Sequence, residues 1–351
     1  MAVIDKLKKL PDAADVKRIL DLERKLAAAQ GNLAGLKARY DASENDLAIA
    51  QKTIELFTAT RGDFEDRQLK NPKHTKDATG TAGIIATDWH AEERVDPKTI
   101  NYENEFNLEI AERRIERLWD RAILLTESAR QLTRIDECFV GLLGDMIGGH
   151  IHEELAETNF LSPVKATYWV QNKLYDGLRR IKAHGKFKRV RVLGCSGNHG
   201  RDTKKTRVAT REAHSYEWLA FQNVADRLSG DKTFEFQIAD GVLSYATIEN
   251  RLVRFTHGDA INFGGGVGGL GIPANKKIQK WDQTRKAYHT YFGHWHQYLR
   301  QGNFTACPTL KGYDAFSEWI GAAKEDPAQL FFVFDSQRGL VREEKIFVES
   351  A

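Results

Sequence analysis

Cysteine is scarce in this chain: Cys138, Cys195 and Cys307 are an odd number in 351 residues and show no metal-type spacing. That excludes a disulfide framework and a thiolate-rich zinc module. Cys138 and Cys195 fall inside predicted core strands, so buried, reduced thiols in a reducing compartment are expected. An excess of one charge is missing too. The 52 Lys and Arg against 49 Asp and Glu leave +3, which gives no global signature of a nucleic-acid binder. No apolar run approaches the roughly 18 residues of a membrane span, and the first ten residues (MAVIDKLKKL) lack a signal-peptide core. A soluble, cytoplasmic protein without a membrane partner is the expectation. At 351 residues and 41% apolar composition, one large domain plus an appendage is affordable.

The appendage is the N-terminal stretch. Ile19, Leu22, Leu26, Ala29, Leu33, Leu36, Tyr40, Ser43, Leu47, Ala50, Ile54 and Phe57 follow an unbroken alternation of three and four residues, with Lys, Arg, Glu, Asp and Gln between them. A seam sustained over about five heptads predicts a coiled coil. Gly31-Asn32 is its weak point, either a helix interior or the turn of a hairpin; the unbroken register favours one continuous helix. Self-association into a homo-oligomer is the function expected of residues 1–60. The alternative is a helix lying back on its own domain. Residues 61–80, polar and containing Pro72, His74 and Gly80, read as a linker, and residues 81–351 as the main domain.

Within that domain, strands are predicted at Gly83–Thr87, Cys138–Leu143 and Val190–Cys195. Helices are predicted between them, at Tyr102–Leu132 and Pro163–Ala183, and after them, at about Arg211–Leu228. This is α/β alternation. Short strands at 233–238, 242–248 and 251–256 suggest a second, mixed sheet. A glycine-rich loop (264–271), a helix at about Ala274–Ala287, a strand before His294 and a terminal hairpin complete the chain. The predicted fold is an α/β two-sheet sandwich flanked by helices.

Five of the strands stop on metal-friendly side chains: Asp88-Trp89-His90, Gly144-Asp145, Gly197-Asn198-His199, His257, and Gly293-His294-Trp295-His296. Ligands of open α/β sheets bind beyond the carboxyl ends of strands, so groups spread over two hundred residues can converge there. Carboxylate, amide and imidazole form a mixed N/O set suited to divalent ions, with no thiolate competing. Eight such side chains are too many for one ion. A pair of ions accounts for them better, and pairs of this kind clamp the oxygens of a phosphoryl centre.

The ordered series Asp-x-His, Gly-Asp, Gly-Asn-His, His-Gly and Gly-His-x-His resembles the calcineurin-like metallophosphoesterase superfamily over about residues 83–300. The resemblance implies that Asp88, His90, Asp145 and His296 bind one ion. Asp145, as a bridge, would bind the other with Asn198, His257 and His294. It makes His199 a non-ligand imidazole that stabilises the transition state and protonates the leaving oxygen, with a metal-bridging hydroxide as nucleophile. Manganese is the expected metal, with iron, zinc or magnesium as alternatives. Asp259 would orient a ligand histidine. The sequence departs from the family pattern at Gly200-Arg201 after Gly-Asn-His and at Met146-Ile147-Gly148-Gly149 after Gly-Asp, so no substrate is inherited from the pattern.

Substrate signals are separate. Arg201, Lys204, Lys205, Arg207 and Arg211 follow the Asn198-His199 motif, and Lys276, Lys277, Lys280, Arg285 and Lys286 follow the glycine run. Two basic segments near one mouth suit a polyanion, with DNA the expected substrate and partner; solvated helix faces are the plain alternative. By analogy, the double-strand-break-repair exonucleases supply the nuclease expectation. The rivals are a phosphomonoesterase, a small-molecule (nucleotide) phosphodiesterase, and a scaffold with a vestigial site. His150 and His152 are candidates for reaching substrate. Trp89 and Trp295 could stack a base or pack behind the ligands. His184, His214 and His289 are expected to be structural or surface residues.

Overall fold

The computed structural model describes residues 13–61, 79–263 and 269–349. Most of the sequence-predicted linker, with His74, and residues 264–268 of the glycine run lie outside the described residues. The chain divides into two compact units, Met1–Lys70 and Asn71–Ala351. In the first, α1 (Ala13–Arg61) is one continuous helix that passes through Gly31-Asn32 without a break. At 1.5 Å per residue it is roughly 73 Å long. The described apolar side chains of its seam are half to two-thirds exposed.

The second unit holds two sheets. In chain order its elements are β1 (Thr79–Ala86), α2 (Leu108–Ala129), β2 (Arg134–Leu142), α3 (Glu153–Thr158), α4 (Pro163–Gly185), β3 (Arg189–Gly194), α5 (Tyr216–Leu228), β4 (Phe234–Ile238), β5 (Ser244–Ile248) and β6 (Arg251–Thr256). They are followed by α6 (Gly271–Thr284), β7 (His289–Phe292), β8 (Leu299–Gln301), β9 (Phe304–Ala306), α7 (Ala315–Trp319), β10 (Ala328–Asp335) and β11 (Gly339–Phe347). The first sheet runs β11-β10-β1-β2-β3-β4 and the second β5-β6-β7-β9-β8. Strands β1 to β4 are parallel, with β10 and β11 antiparallel at one edge; in the second sheet β6, β7 and β9 are parallel.

Alternation along each strand decides which layer a side chain enters. Ile84, Val140, Val192 and Phe331 face a helical layer that includes Leu118 and Trp119 of α2 and Leu174 of α4. Their neighbours Ile85, Phe139, Leu193 and Phe332 turn the other way, onto Val253, Phe255 and Tyr291 of the second sheet. That sheet covers its outer face with Ala274 and Ile278 of α6. Because the central strands are buried on both faces, their sequences are nearly continuous apolar runs. Gly83 is fixed by contact: a Cβ there would stand 1.9 Å from the Phe332 ring.

The α/β two-sheet fold and the terminal hairpin are as expected. Several boundaries are not. The strand at 233–238 is β4 of the first sheet, parallel to β3, and not part of the second. Helix α2 starts at Leu108 and not Tyr102, because Asn107 caps it through Ile110 N (3.0 Å) and Val95 pairs with Phe106 upstream. Helix α5 starts at Tyr216, where Ser215 accepts the Trp218 N–H. Helix α6 spans Gly271–Thr284, with Pro273 in its first turn where no N–H is needed.

Candidate metal centre

The parallel strands deliver the site. β1, β2 and β3 end at Ala86, Leu142 and Gly194 on one sheet edge; β6 and β7 end at Thr256 and Phe292 in the other. Backbone hydrogen bonds lace the segments beyond: Asp88 N to Gly144 O (2.9 Å), His90 N to Asp145 O (3.0 Å) and Gly293 N to His257 O (2.7 Å). Ten described non-glycine residues have positive φ, and five of them are Asp88 (52°), His90 (45°), Asp145 (51°), His294 (68°) and His296 (57°). A left-handed backbone is uncommon outside glycine, even though Asp and His tolerate it better than most, and five such residues in one place are a concentration of the kind found at functional sites.

Two clusters result. In the first, His296 Nε2 lies 3.1 Å from His90 Nε2 and 3.4 Å from Asp88 Oδ1, with His90 Nε2 4.0 Å from that oxygen. In the second, His257 Nε2 lies 3.0 Å from Asp145 Oδ2 and 3.0 Å from Asn198 Oδ1, and His294 completes the group. Around a cation with ligand bonds of about 2.1 Å, neighbouring donors stand about 3.0–3.4 Å apart in octahedral or tetrahedral geometry; all of these separations but the 4.0 Å from His90 to Asp88 have that spacing.

Electrostatics make the same case. Asp88 and Asp145 are buried, and no Lys or Arg forms an ion pair with either among the described residues. Burial pushes both carboxyls up, but surrounding imidazoles overcome it and hold both below the ordinary carboxylate range. Conversely, burial would discharge His257, yet Asp145 raises it to about 10. A divalent cation beside them would neutralise the buried carboxylates in the same way. The donors fit two divalent ions.

The His90–Glu93–His199 grouping does not fit one. Lys311 Nζ already sits 2.6 Å from Glu93 Oε2 and 2.6 Å from Asp314 Oδ2, so a second cation there would be repelled. Glu93 instead approaches His90 Nδ1 to 2.7 Å, on the far side of the ring from the cluster nitrogen. His257 Nδ1 donates to the Leu143 carbonyl (2.7 Å), which fixes its tautomer and leaves Nε2 to face the cluster.

His199 lies against His90, their ring centres 4.6 Å apart. Its backbone N–H donates to Asp145 Oδ1 (2.8 Å) and its Nδ1 to the Gly148 carbonyl (2.8 Å). Burial, reinforced by His90, lowers its pKa to about 4. Asp88, His90, Asp145 and His257 form a buried floor, whereas His294, His296, Asn198 and His199 are half-buried at the rim.

Several substrate expectations change. Arg201 spends its guanidinium on the carbonyls of Asn198, Thr203 and Lys204, so it staples its own loop. Arg211 is buried and pairs with Asp259 at 2.9 Å. That pairing also occupies Asp259, for which no hydrogen bond to a histidine is found among the described residues; the Leu143 carbonyl fills the expected role toward His257. Trp89 is fully buried, donates to Gln329 Oε1 (3.0 Å) and packs edge-on against Trp119, so it is no stacking platform. Trp295 packs against Phe263 and His294. Lys204, Lys205 and Arg207 are exposed, as are His150 and His152, and the His152 ring centre is 5.8 Å from that of His199. His184 is exposed, His214 is half-buried beside Asp202 and His289 is buried in the second sheet.

Four functional supports carried little sequence signal. Glu92 accepts the N–H groups of Gly148 (2.9 Å) and Gly149 (2.8 Å), and Glu217 accepts those of Met146 and Gly197. Burial raises both carboxyls to about 7. Glu93 at i+3 from His90 could have been found by its spacing; nothing near Lys311 points to the site.

No protein family matches the chain, and no curated protein does. Among solved structures it is similar to a predicted phosphoesterase of Streptococcus pneumoniae, at 12% identity and a TM-score of 0.31 over 76% of this chain and 98% of that one. It is also similar to Vps29 of Entamoeba histolytica complexed with zinc, at 12% identity and 0.32 over 76% and 99%. A dimetal phosphatase of Danio rerio aligns at 11% identity and 0.35 over 77% and 99%. Overlaps this partial leave the site's own geometry to carry the functional reading.

Proposed function

We propose that the Asn71–Ala351 unit is a metal-dependent phosphoester hydrolase holding two divalent cations. Asp88, His90 and His296 would bind one; Asp145, Asn198, His257 and His294 would bind the other. The observation that carries this is the convergence of two buried carboxylate–imidazole clusters from five strand ends, five of their residues in left-handed backbone. When bound, the cations would supply Lewis acidity toward a phosphoryl oxygen and lower the pKa of water.

The chain's own groups do the rest. The rim of His294, His296, Asn198 and His199 is the side from which substrate arrives. His199, its Nδ1–H committed to Gly148, is left with Nε2 as the nitrogen that takes up and returns a proton. Glu92 and Glu217 hold the loops after β2 and β3, so the donors stay placed without rearrangement.

Exposed Lys204, Lys205 and Arg207, which follow Asn198 in the chain, support a substrate with more than one phosphate, nucleic acid among them. Monoesters and small diesters suit the clusters as well. Hydrolysis of p-nitrophenyl phosphate, bis-p-nitrophenyl phosphate and end-labelled DNA with added Mn²⁺, against Asp145→Asn as control, tests both levels. Turnover lost in the control supports the hydrolase, and the preferred compound selects the substrate class. A wild-type protein that binds no metal and turns over none of the three overturns the reading.

A further inference from the structure

Helix α1 carries a seam that no other described residue of its own unit covers: Leu26, Leu33, Leu36, Tyr40 and Leu47 are 56–68% exposed. A helix of that length gains most of its stability from burying such a face. In heptad terms, Leu26, Leu33, Tyr40 and Leu47 occupy a positions and Ala29, Leu36, Ser43 and Ala50 occupy d positions. Large and small residues are thus unevenly divided between the two.

We propose that α1 pairs with α1 of a second copy of this chain, antiparallel, with Leu26 opposite the partner's Ala50. Antiparallel pairing sets each a residue against a d residue. One register then places Leu26 on Ala50, Ala29 on Leu47, Leu33 on Ser43 and Leu36 on Tyr40, with nearly the whole helix overlapped. Every small side chain meets a leucine, so three of these four layers share one large-on-small size, and only Leu36 on Tyr40, next to the two-fold axis, is large on large. In the parallel, in-register alternative, Ala29, Ser43 and Ala50 meet themselves between layers of Leu, Tyr or Ile. Interhelical distances follow side-chain size over about 8–10 Å, and one pair of stiff helices cannot satisfy both spacings within a turn.

The summed charge of the two halves favours the same orientation, against the like-charge pairs that Lys37 and Arg39 make with their own copies at the two-fold axis. Ala13–Arg39 holds six Lys and Arg and three Asp and Glu, a net +3; Tyr40–Arg61 holds two and four, a net −2. Antiparallel pairing lays the positive half on the negative half and opposes the helix dipoles. Parallel pairing lays like on like. It would gain Arg18–Glu23 and Arg39–Glu44 cross-pairs, but exposed pairs are worth only about 0.2–1 kcal/mol each, less than unfilled apolar layers cost.

Cysteine cross-linking of the full chain tests this, since the three native thiols are buried. Leu26→Cys and Ala50→Cys proteins are oxidised separately and mixed. Disulfide dimers are expected from the mixture and from neither protein alone. Self-linking of either protein alone indicates parallel pairing and overturns the proposal. Sedimentation equilibrium of the unmodified chain should give a dimer mass; a monomer mass overturns it independently.

Discussion

Both oxygens of the Asp88 carboxylate approach the backbone N–H of His294, at 3.0 and 2.9 Å, across 206 residues of sequence. This joins the end of β1 in the first sheet to the end of β7 in the second, and so a donor of one cluster to the backbone of a donor of the other. Gly293 makes the approach possible: a Cβ there would stand 2.2 Å from Asp88 Oδ2 and 2.2 Å from Thr87 Oγ1. Gly293→Ala should therefore shift the carboxylate and weaken cation binding about 10–100-fold, the usual effect of disturbing a ligand's support. Metal titration with circular dichroism as a fold control measures it. Unchanged affinity would show that the two sheets do not depend on this contact to place Asp88.

His199→Ala separates proton transfer from metal holding. The ring touches His90 but belongs to neither proposed donor set. The expected result is unchanged metal content with turnover reduced roughly 10²–10⁴-fold. Loss of a metal equivalent by elemental analysis would make His199 a ligand instead.

Lys311→Met probes the buried relay behind His90. Lys311 is the cation between Glu93 and Asp314, and burial alone would push both carboxyls up; the ammonium holds both low. Removing one partner of such an assembly leaves uncompensated charge, at a cost of about 3–5 kcal/mol. Denaturant unfolding should show that loss, and Glu93→Gln in the Lys311→Met background should recover part of it. Two losses that simply add would mean Lys311 and Glu93 are not coupled.

The ligand-type residues were legible because each stands where an apolar run stops, and strand ends of parallel sheets converge. Their second-layer partners were not. Glu217 looks like any first-turn acid of a helix, and Lys311 lies in a loop with no periodic pattern; each makes a key contact, to Met146 and Glu93 respectively, more than seventy residues away. Basic residues after Asn198 misled for a related reason. Arg201 and Arg211 sit in an irregular segment whose carbonyls and Asp259 need donors, and charge in sequence does not say whether a guanidinium faces water or backbone. Strand 233–238 was assigned to the wrong sheet because short amphipathic strands carry no signal of their partner.

His289 gives the protein an acid-sensitive point far from the clusters. Its Nε2 lies 2.9 Å from Thr305 Oγ1, and that hydroxyl donates to Glu343, so the imidazole Nε2–H is the donor. Burial, aided by the Arg300 charge, lowers its pKa from 6.5 to about 3. The unfolded chain therefore binds a proton between those values that the folded chain does not. Stability is complete above pH 6.5 and falls as pH drops toward 3, with a slope of up to about 1.4 kcal/mol per pH unit. Glu343, raised by burial, titrates in the opposite sense and is common to wild type and variant. Between pH 7 and pH 5 the wild type should thus lose a few degrees more in melting temperature than His289→Gln, at roughly 2–4 °C per kcal/mol. Equal losses in calorimetry would mean that His289 is protonated in the folded protein and that its burial does not set the acid limb.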